Sequence, residues 1–251
     1  MKRGVCFFCS IIVLSFLLVA GSASAEQIRV AVASNFTGAI KEIASSFQAK
    51  TSHKVVLLFG STGKHYAQIK NGAPFDAFFA ADVRRPKLLE EEGLAVAGTR
   101  FTYAMGTLVL WSADPQLLDD SATALKEGRF HHLAFANPKL APYGKASQQV
   151  LENLGLWKQL QPKFVRGENI SQALQFIKSG NAELGFIALS QLKSGKADLQ
   201  GSLWKVPVAL YSPIEQQAVL LRDNKVAAQF LEFAKGEEAL KIIRGFGYSC
   251  P

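Results

Sequence analysis

The chain has little with which to do covalent or metal chemistry. Only three of its 251 residues are cysteine: Cys6 and Cys9 near the start, and Cys250 beside the final proline. The four histidines, His53, His65, His131 and His132, form no i, i+4 pair flanking a carboxylate, which argues against a zinc site. No G-x-S-x-G motif is present, and no serine or cysteine is coupled to a histidine and an acid, so an exported hydrolase would lack its nucleophile and base. Asp76 and Asp82 flank an apolar stretch, and Asp82 reads as a helix N-cap rather than half of an acid-base pair. The 28 Lys and Arg outnumber the 20 Asp and Glu, but they are scattered singly, with no run of four and no aromatic-basic alternation. That pattern excludes a dedicated nucleic-acid surface and leaves a solvated exterior with mild steering of anions. There is no low-complexity tract, no long Pro/Gly/Ser linker and no short-period repeat.

The one long apolar run lies at the N-terminus. Lys2 and Arg3 precede a stretch from Val5 to Ala20, and Ala23-Ser24-Ala25 before Glu26 fits the small-x-small cleavage rule. Residues 1–25 are therefore expected to be a cleaved secretory signal, too short in its apolar part for a retained anchor. Cleavage removes Lys2, Arg3, Cys6 and Cys9, leaving 26 basic against 20 acidic residues, a net charge of +6. A single remaining cysteine, Cys250, excludes an internal disulfide. The mature chain should be periplasmic, monomeric and soluble, with enough apolar material for one large or two smaller domains.

Hydrophobic periodicity then alternates. Strands are expected at 27–33, 54–59 and 75–80, separated by amphipathic helices at 37–50, 62–71 and 84–92, the last stopped by Gly93. A strand at 107–111 carries the chain elsewhere, and the pattern restarts with strands 133–136, 163–165 and 183–188 and helices 142–154 and 169–179. A returning strand at 216–221 is followed by helices 226–234 and 236–244. This predicts an α/β protein of two lobes, each a mainly parallel sheet flanked by helices, joined by a double-crossover hinge. Lobe I comprises residues 26–107 and 213–251, and lobe II residues 108–212. Two crossings without a floppy linker favour hinge closure.

Four places put small hydrogen-bonding residues where a strand gives way to a helix: Ser34-Asn35, Ser61-Thr62, Pro142-Tyr143-Gly144 and Glu168-Asn169-Ile170. Helix N-termini present unpaired N–H groups and partial positive charge, so several converging starts make an anion site without Lys or Arg. Taken one at a time, N-capping or a Pro-initiated helix explains each of them equally well. Phe59-Gly60-Ser61-Thr62-Gly63-Lys64 lacks the G-x-x-x-x-G-K-[ST] spacing, which argues against a nucleotide triphosphate.

These same segments carry a family resemblance. The ASN that ends the first strand, FGSTGKHYAQIKNGAPFDAFFAAD, ANPKLAPYGKASQQVLENLG, GENISQAL and AELGFIALS are similar, in colinear order over nearly all of the mature chain, to the molybdate-binding proteins of bacterial ABC importers. The resemblance implies a non-enzymatic two-lobed binding protein that closes on molybdate or tungstate and delivers it to a membrane permease. It also implies oxyanion contacts from Ser34, Asn35 and Ser61, and from Tyr143 and Ile170 through their main chain. Molybdenum enters only as the oxyanion, with no protein ligand to the metal and no other cofactor. In one departure, Ala188 stands where many members have Tyr, and the side-chain amide of Asn35 is expected to supply the missing donor. The donor set alone leaves open another tetrahedral oxyanion such as sulfate.

Overall fold

The computed structural model describes residues 25–193 and 199–250. The expected signal segment therefore lies outside the described residues, Ala25 excepted, and so does Pro251.

The first part of the chain runs β1 (Gln27–Ala33), a 3-10 turn (Ser34–Phe36), α1 (Thr37–Thr51), β2 (Lys54–Gly60), α2 (Thr62–Lys70), β3 (Ala77–Ala80), α3 (Arg84–Glu91) and β4 (Phe101–Gly106). The middle part contains β5 (Leu108–Ser112), α4 (Thr123–Glu127), β6 (Leu133–Ala136), α5 (Pro142–Asn153), α6 (Trp157–Leu160), β7 (Phe164–Gly167), α7 (Ile170–Lys178), β8 (Leu184–Ala188) and β9 (Ser202–Lys205). The chain returns through β10 (Ile214–Leu220) and ends in α8 (Lys225–Lys235) and α9 (Glu237–Gly245).

Two five-stranded sheets result, in the orders β2-β1-β3-β10-β4 and β7-β6-β8-β5-β9. Each is parallel through its strand-helix-strand units and antiparallel around one strand next to a crossing, β10 in the first sheet and β5 in the second. The two sheets share one topology, so β1 corresponds to β6 and β2 to β7. β1 and β2 end flush at the Ala33–Gly60 pair, as β6 and β7 do at Ala136–Gly167.

Amphipathic spacing decides what each helix covers. α1 buries Ala39, Ile40, Ile43, Ala44 and Phe47 beside α8 and α9, around a cluster containing Phe36, Phe79, Tyr103 and Phe230. α2 and α3 close the other face over Ile69, Phe78 and Leu89. In the second sheet Val150, Leu151, Phe135 and Phe186 form one face and Val109, Ile177 and Ile187 the other. Each buried Val, Ile, Leu or Phe side chain contributes about 1.5–3 kcal/mol, so these layers hold the strand ends in place. The edge strands β4 and β9 and the short helices α4 and α6 lie outside the sequence expectation, because their apolar patterns are too short to show a period. Gly93 takes the left-handed conformation, φ 68°, that ends α3 as expected.

Candidate functional site

The equivalent strands lead to equivalent helix starts. After β1 the chain enters the turn at Ser34 and after β6 it enters α5, and neither start has a side-chain cap. After β2, Ser61 caps α2 by accepting from the Lys64 N–H at 3.4 Å; after β7, Asn169 caps α7 by accepting from Ser171 and Gln172 at 3.0 and 3.1 Å. Ligands of open α/β sheets sit beyond such carboxyl ends of strands. Here all four starts meet.

A cavity of about 10 Å³ is lined by Ser34, Asn35, Gly60, Ser61, Thr62, Tyr143 and Ile170, with Ala33, Ala81, Ala141 and Pro142. That volume suits one small ion, whereas a drug-sized organic ligand needs roughly 300 Å³ or more. Ser34, Asn35, Ser61, Thr62, Tyr143 and Ile170 are all buried, the most exposed at 5%. The structure thus brings together all five residues proposed from the sequence.

First-turn N–H groups have no acceptor within their own helix, so each needs a separate account. In α7, Asn169 takes Ser171 and Gln172, leaving the N–H of Ile170. In α2, Ser61 takes Lys64 and His65 through its Oγ and carbonyl, Leu140 takes Gly63 at 2.8 Å, and the N–H of Thr62 is left. In α5, Pro142 has no N–H and Lys145 bonds Ala141, which leaves Tyr143 and Gly144. The uncapped turn leaves Ser34 and Asn35. All of these leftover donors except Gly144 belong to residues that line the cavity, and no carboxylate lines it. Asp82 lies just outside, accepting from the Arg85 N–H at 3.0 Å and ion-paired with the Arg85 guanidinium. It caps from one position before Val83, which is the actual N-cap of α3.

Some side chains do other work than expected. The hydroxyl of Ser34 donates across the cleft to Asn169 Oδ1 at 3.2 Å. Nδ2 of Asn35 donates to Gln216 Oε1 at 2.7 Å and to the Tyr248 hydroxyl at 3.0 Å, away from an ion. Both amide protons of Asn35 are thus taken inside the protein, so the expectation that this amide replaces a missing Tyr is not how the side chain is used here. The hydroxyl proton of Ser61 is left for the cavity. Sequence reasoning missed Gln216, Tyr103 and Tyr248, which form a buried polar cluster behind the site; the polar run Glu215-Gln216-Gln217, too long for strict in-out alternation, was the available signal. Burial pushes the phenols of Tyr103, Tyr143 and Tyr248 up, so all three stay neutral.

The lobes also touch directly. Ser171 Oγ donates to Ser34 O at 3.2 Å, Ser190 Oγ to Asn35 O at 3.0 Å and Arg85 to Lys139 O at 3.3 Å, while Lys64 pairs with Glu168 at 3.1 Å. Beside the cavity a wider groove of about 590 Å³ shares Ala81, Ala141 and Pro142 and is edged by Arg84, Arg85, Lys139 and Lys145 against Asp82 and Glu215. Its positive excess favours the approach of anions. His65 lies beneath the site, its Nε2 3.2 Å from Val32 O, and burial lowers its pKa. Among the described residues no cluster of three or more His, Cys, Asp or Glu could hold a metal ion, and no helix is long and apolar enough to cross a membrane.

Two α/β lobes of like topology, crossed twice by the chain and closed over a cavity of neutral donors, define a two-lobed solute-binding protein. The sequence model described as "bacterial extracellular solute-binding protein" matches residues 28–249. The molybdate-binding protein ModA of Azotobacter vinelandii is 52% identical over 92% of this chain and 93% of its own, and that of Rhodobacter capsulatus 50% identical over 90% and 89%. The solved structure of the Azotobacter vinelandii periplasmic molybdate-binding protein superposes with a TM-score of 0.86, at 43% identity, covering 89% of this chain and 99% of that one. The chain belongs to the bacterial extracellular solute-binding proteins, in the branch of the molybdate-binding proteins.

Proposed function

We propose that the protein captures molybdate or tungstate in the periplasm, between lobe I (residues 26–107 and 213–251) and lobe II (residues 108–212), and hands it to an ABC permease without chemical change. The observation that carries the reading is the convergence of leftover first-turn N–H groups and the Ser61 hydroxyl on one small cavity lined by no charged side chain. A fully deprotonated tetrahedral oxyanion accepts hydrogen bonds and donates none, so a donor-only cavity satisfies it. A protonated anion such as hydrogen phosphate would bring a proton that finds no acceptor. Burial strengthens each bond, and four positive helix ends neutralise the charge without a fixed cation that would have to be desolvated. Kinship with the molybdate-binding proteins supports molybdate over sulfate as the ion.

A ligand at one hundred times its dissociation constant adds about 2.7 kcal/mol, which for a chain of this length raises the melting temperature by roughly 5–10 °C. Thermal unfolding of the mature protein with and without millimolar molybdate or tungstate should show that rise. No shift with either ion would refute the oxyanion reading.

A further inference from the structure

The buried cluster behind the cavity has a direction that its proton count fixes. Tyr248 has one hydroxyl proton, and the carbonyl of Asn35 takes it at 2.8 Å. The same oxygen lies 3.0 Å from the Asn35 side chain and must accept there, which identifies the near atom as the amide nitrogen. That nitrogen is 2.7 Å from Gln216, whose facing atom must therefore be the acceptor Oε1. The one hydroxyl proton of Tyr103 has two acceptors at 3.1 Å, this oxygen and the carbonyl of Ala80. The Nε2 of Gln216 then points the other way, to the hydroxyl of Tyr143 at 3.4 Å. One fully buried side chain thus holds the first-lobe turn that presents Asn35 and the second-lobe helix start that presents Tyr143.

The backbone is built around this side chain. Gln216 sits on β10, where the chain re-enters the first sheet, and the register of β10 against β4 shifts between Gln216 and Gln217. Such a bulge re-aims a side chain, and here the consecutive residues Gln216 and Gln217 are both buried. On β4, at the position paired with Ile214, a Cβ on Gly106 would lie 2.1 Å from the Tyr143 hydroxyl and 2.7 Å from Gln216 Nε2, so only glycine leaves room for the contact.

We propose that Gln216 is a positioning residue of the ion site: by bonding Asn35 and Tyr143 together it fixes the separation between the donors of the two lobes, and with it the size of anion that all of them can reach. This inference rests on the oxyanion reading. Donors held at a fixed separation cannot contract onto a smaller ion, whereas donors released from it can.

The test titrates wild-type protein and Gln216→Met with molybdate and with sulfate, together with the melting temperature of the ligand-free proteins. Gln216→Met should raise the molybdate Kd about tenfold, mainly through faster dissociation, and leave sulfate binding nearly unchanged, so that the preference narrows by about tenfold. A purely structural role would lower the melting temperature and leave the preference where it was. Folded Gln216→Met with wild-type Kd and preference would overturn the inference. Should that variant not fold, Tyr143→Phe decides: it keeps the ring and the main-chain N–H, and should speed molybdate dissociation about two- to fivefold, whereas a purely structural role of the hydroxyl would lower the melting temperature alone. An unchanged rate would overturn the inference. Wild-type protein that binds neither anion would overturn the oxyanion reading and this inference with it, whereas wild-type binding with unaltered variants would overturn this inference alone.

Discussion

In the first lobe the helix after β2 is capped by Ser61, whose hydroxyl also lines the cavity; in the second, the helix after β7 is capped by Asn169, whose Oδ1 is taken by Ser171, Gln172 and Ser34. The first lobe therefore offers a side-chain donor and main-chain N–H groups, and the second offers main-chain N–H groups alone. At Tyr143 and Ile170 the side chains join the hydrophobic core. The same topology thus yields one half-site that depends on side-chain identity and another that depends on where the backbone runs.

The sharpest break of that contrast is a backbone change in the second lobe. A Cβ on Gly144 would lie 2.1 Å from Ala136 O, and the obstacle is main chain, which cannot swing aside. Gly144→Ala should push the start of α5 outward, cost about 3 kcal/mol and lower the melting temperature by roughly 6–12 °C. It should also weaken ion binding in whatever protein stays folded, which calorimetry at low temperature can read. Next in size is Ser61→Ala in the first lobe, which deletes a hydroxyl donor to a charged partner. The expected loss is about 1.5–3 kcal/mol, ten- to a hundredfold in Kd, measured by titration.

A third difference concerns acid. The first lobe buries His65, whereas His131 and His132 on the second lobe are exposed. Burial holds His65 below its ordinary value of 6.5, so the folded protein resists the proton that the unfolded chain takes up. Stability from this residue is complete above about pH 6.5 and falls as pH drops below it, by at most about 1.4 kcal/mol per pH unit. Carboxylates with lowered pKa, such as Glu92 and Glu238, add their own loss only below about pH 4.5. Melting temperatures between pH 7.5 and 5 should decline in the wild type and decline less in His65→Gln; equal slopes would remove His65 as the cause. The smallest effect is expected at Ile170→Val. It trims a buried methylene at about 0.5–1.5 kcal/mol of stability, yet it should leave Kd within about twofold because the donor is the main-chain N–H. A tenfold weaker Kd there would erase the contrast between the lobes.

The sequence made the skeleton of this arrangement readable because strong periodicity marks the long elements. β1 spans the β-rich apolar run Gln27–Ala33, and α1 follows its Ile40, Ile43 and Phe47 spacing. The helix starts were readable from Ser61, Pro142 and Asn169, since capping chemistry is local. What stayed hidden is non-local. Nothing near Asn35 in sequence announces that its amide will be claimed by Gln216 and Tyr248, 181 and 213 residues away. Nor does Ser34 reveal that its hydroxyl meets Asn169 across the cleft. β4 and β9 were missed because an edge strand needs only a few residues and a neighbour to pair with.

Competition calorimetry on the mature protein tests the central claim most directly, since a donor-only cavity held at a fixed size should select its ion by charge, protonation and radius together. Tungstate should displace molybdate at similar concentrations, while sulfate, smaller at the same charge, and phosphate, which carries a proton, should fail even in large excess. Sulfate displacing molybdate at equal concentration would contradict the account.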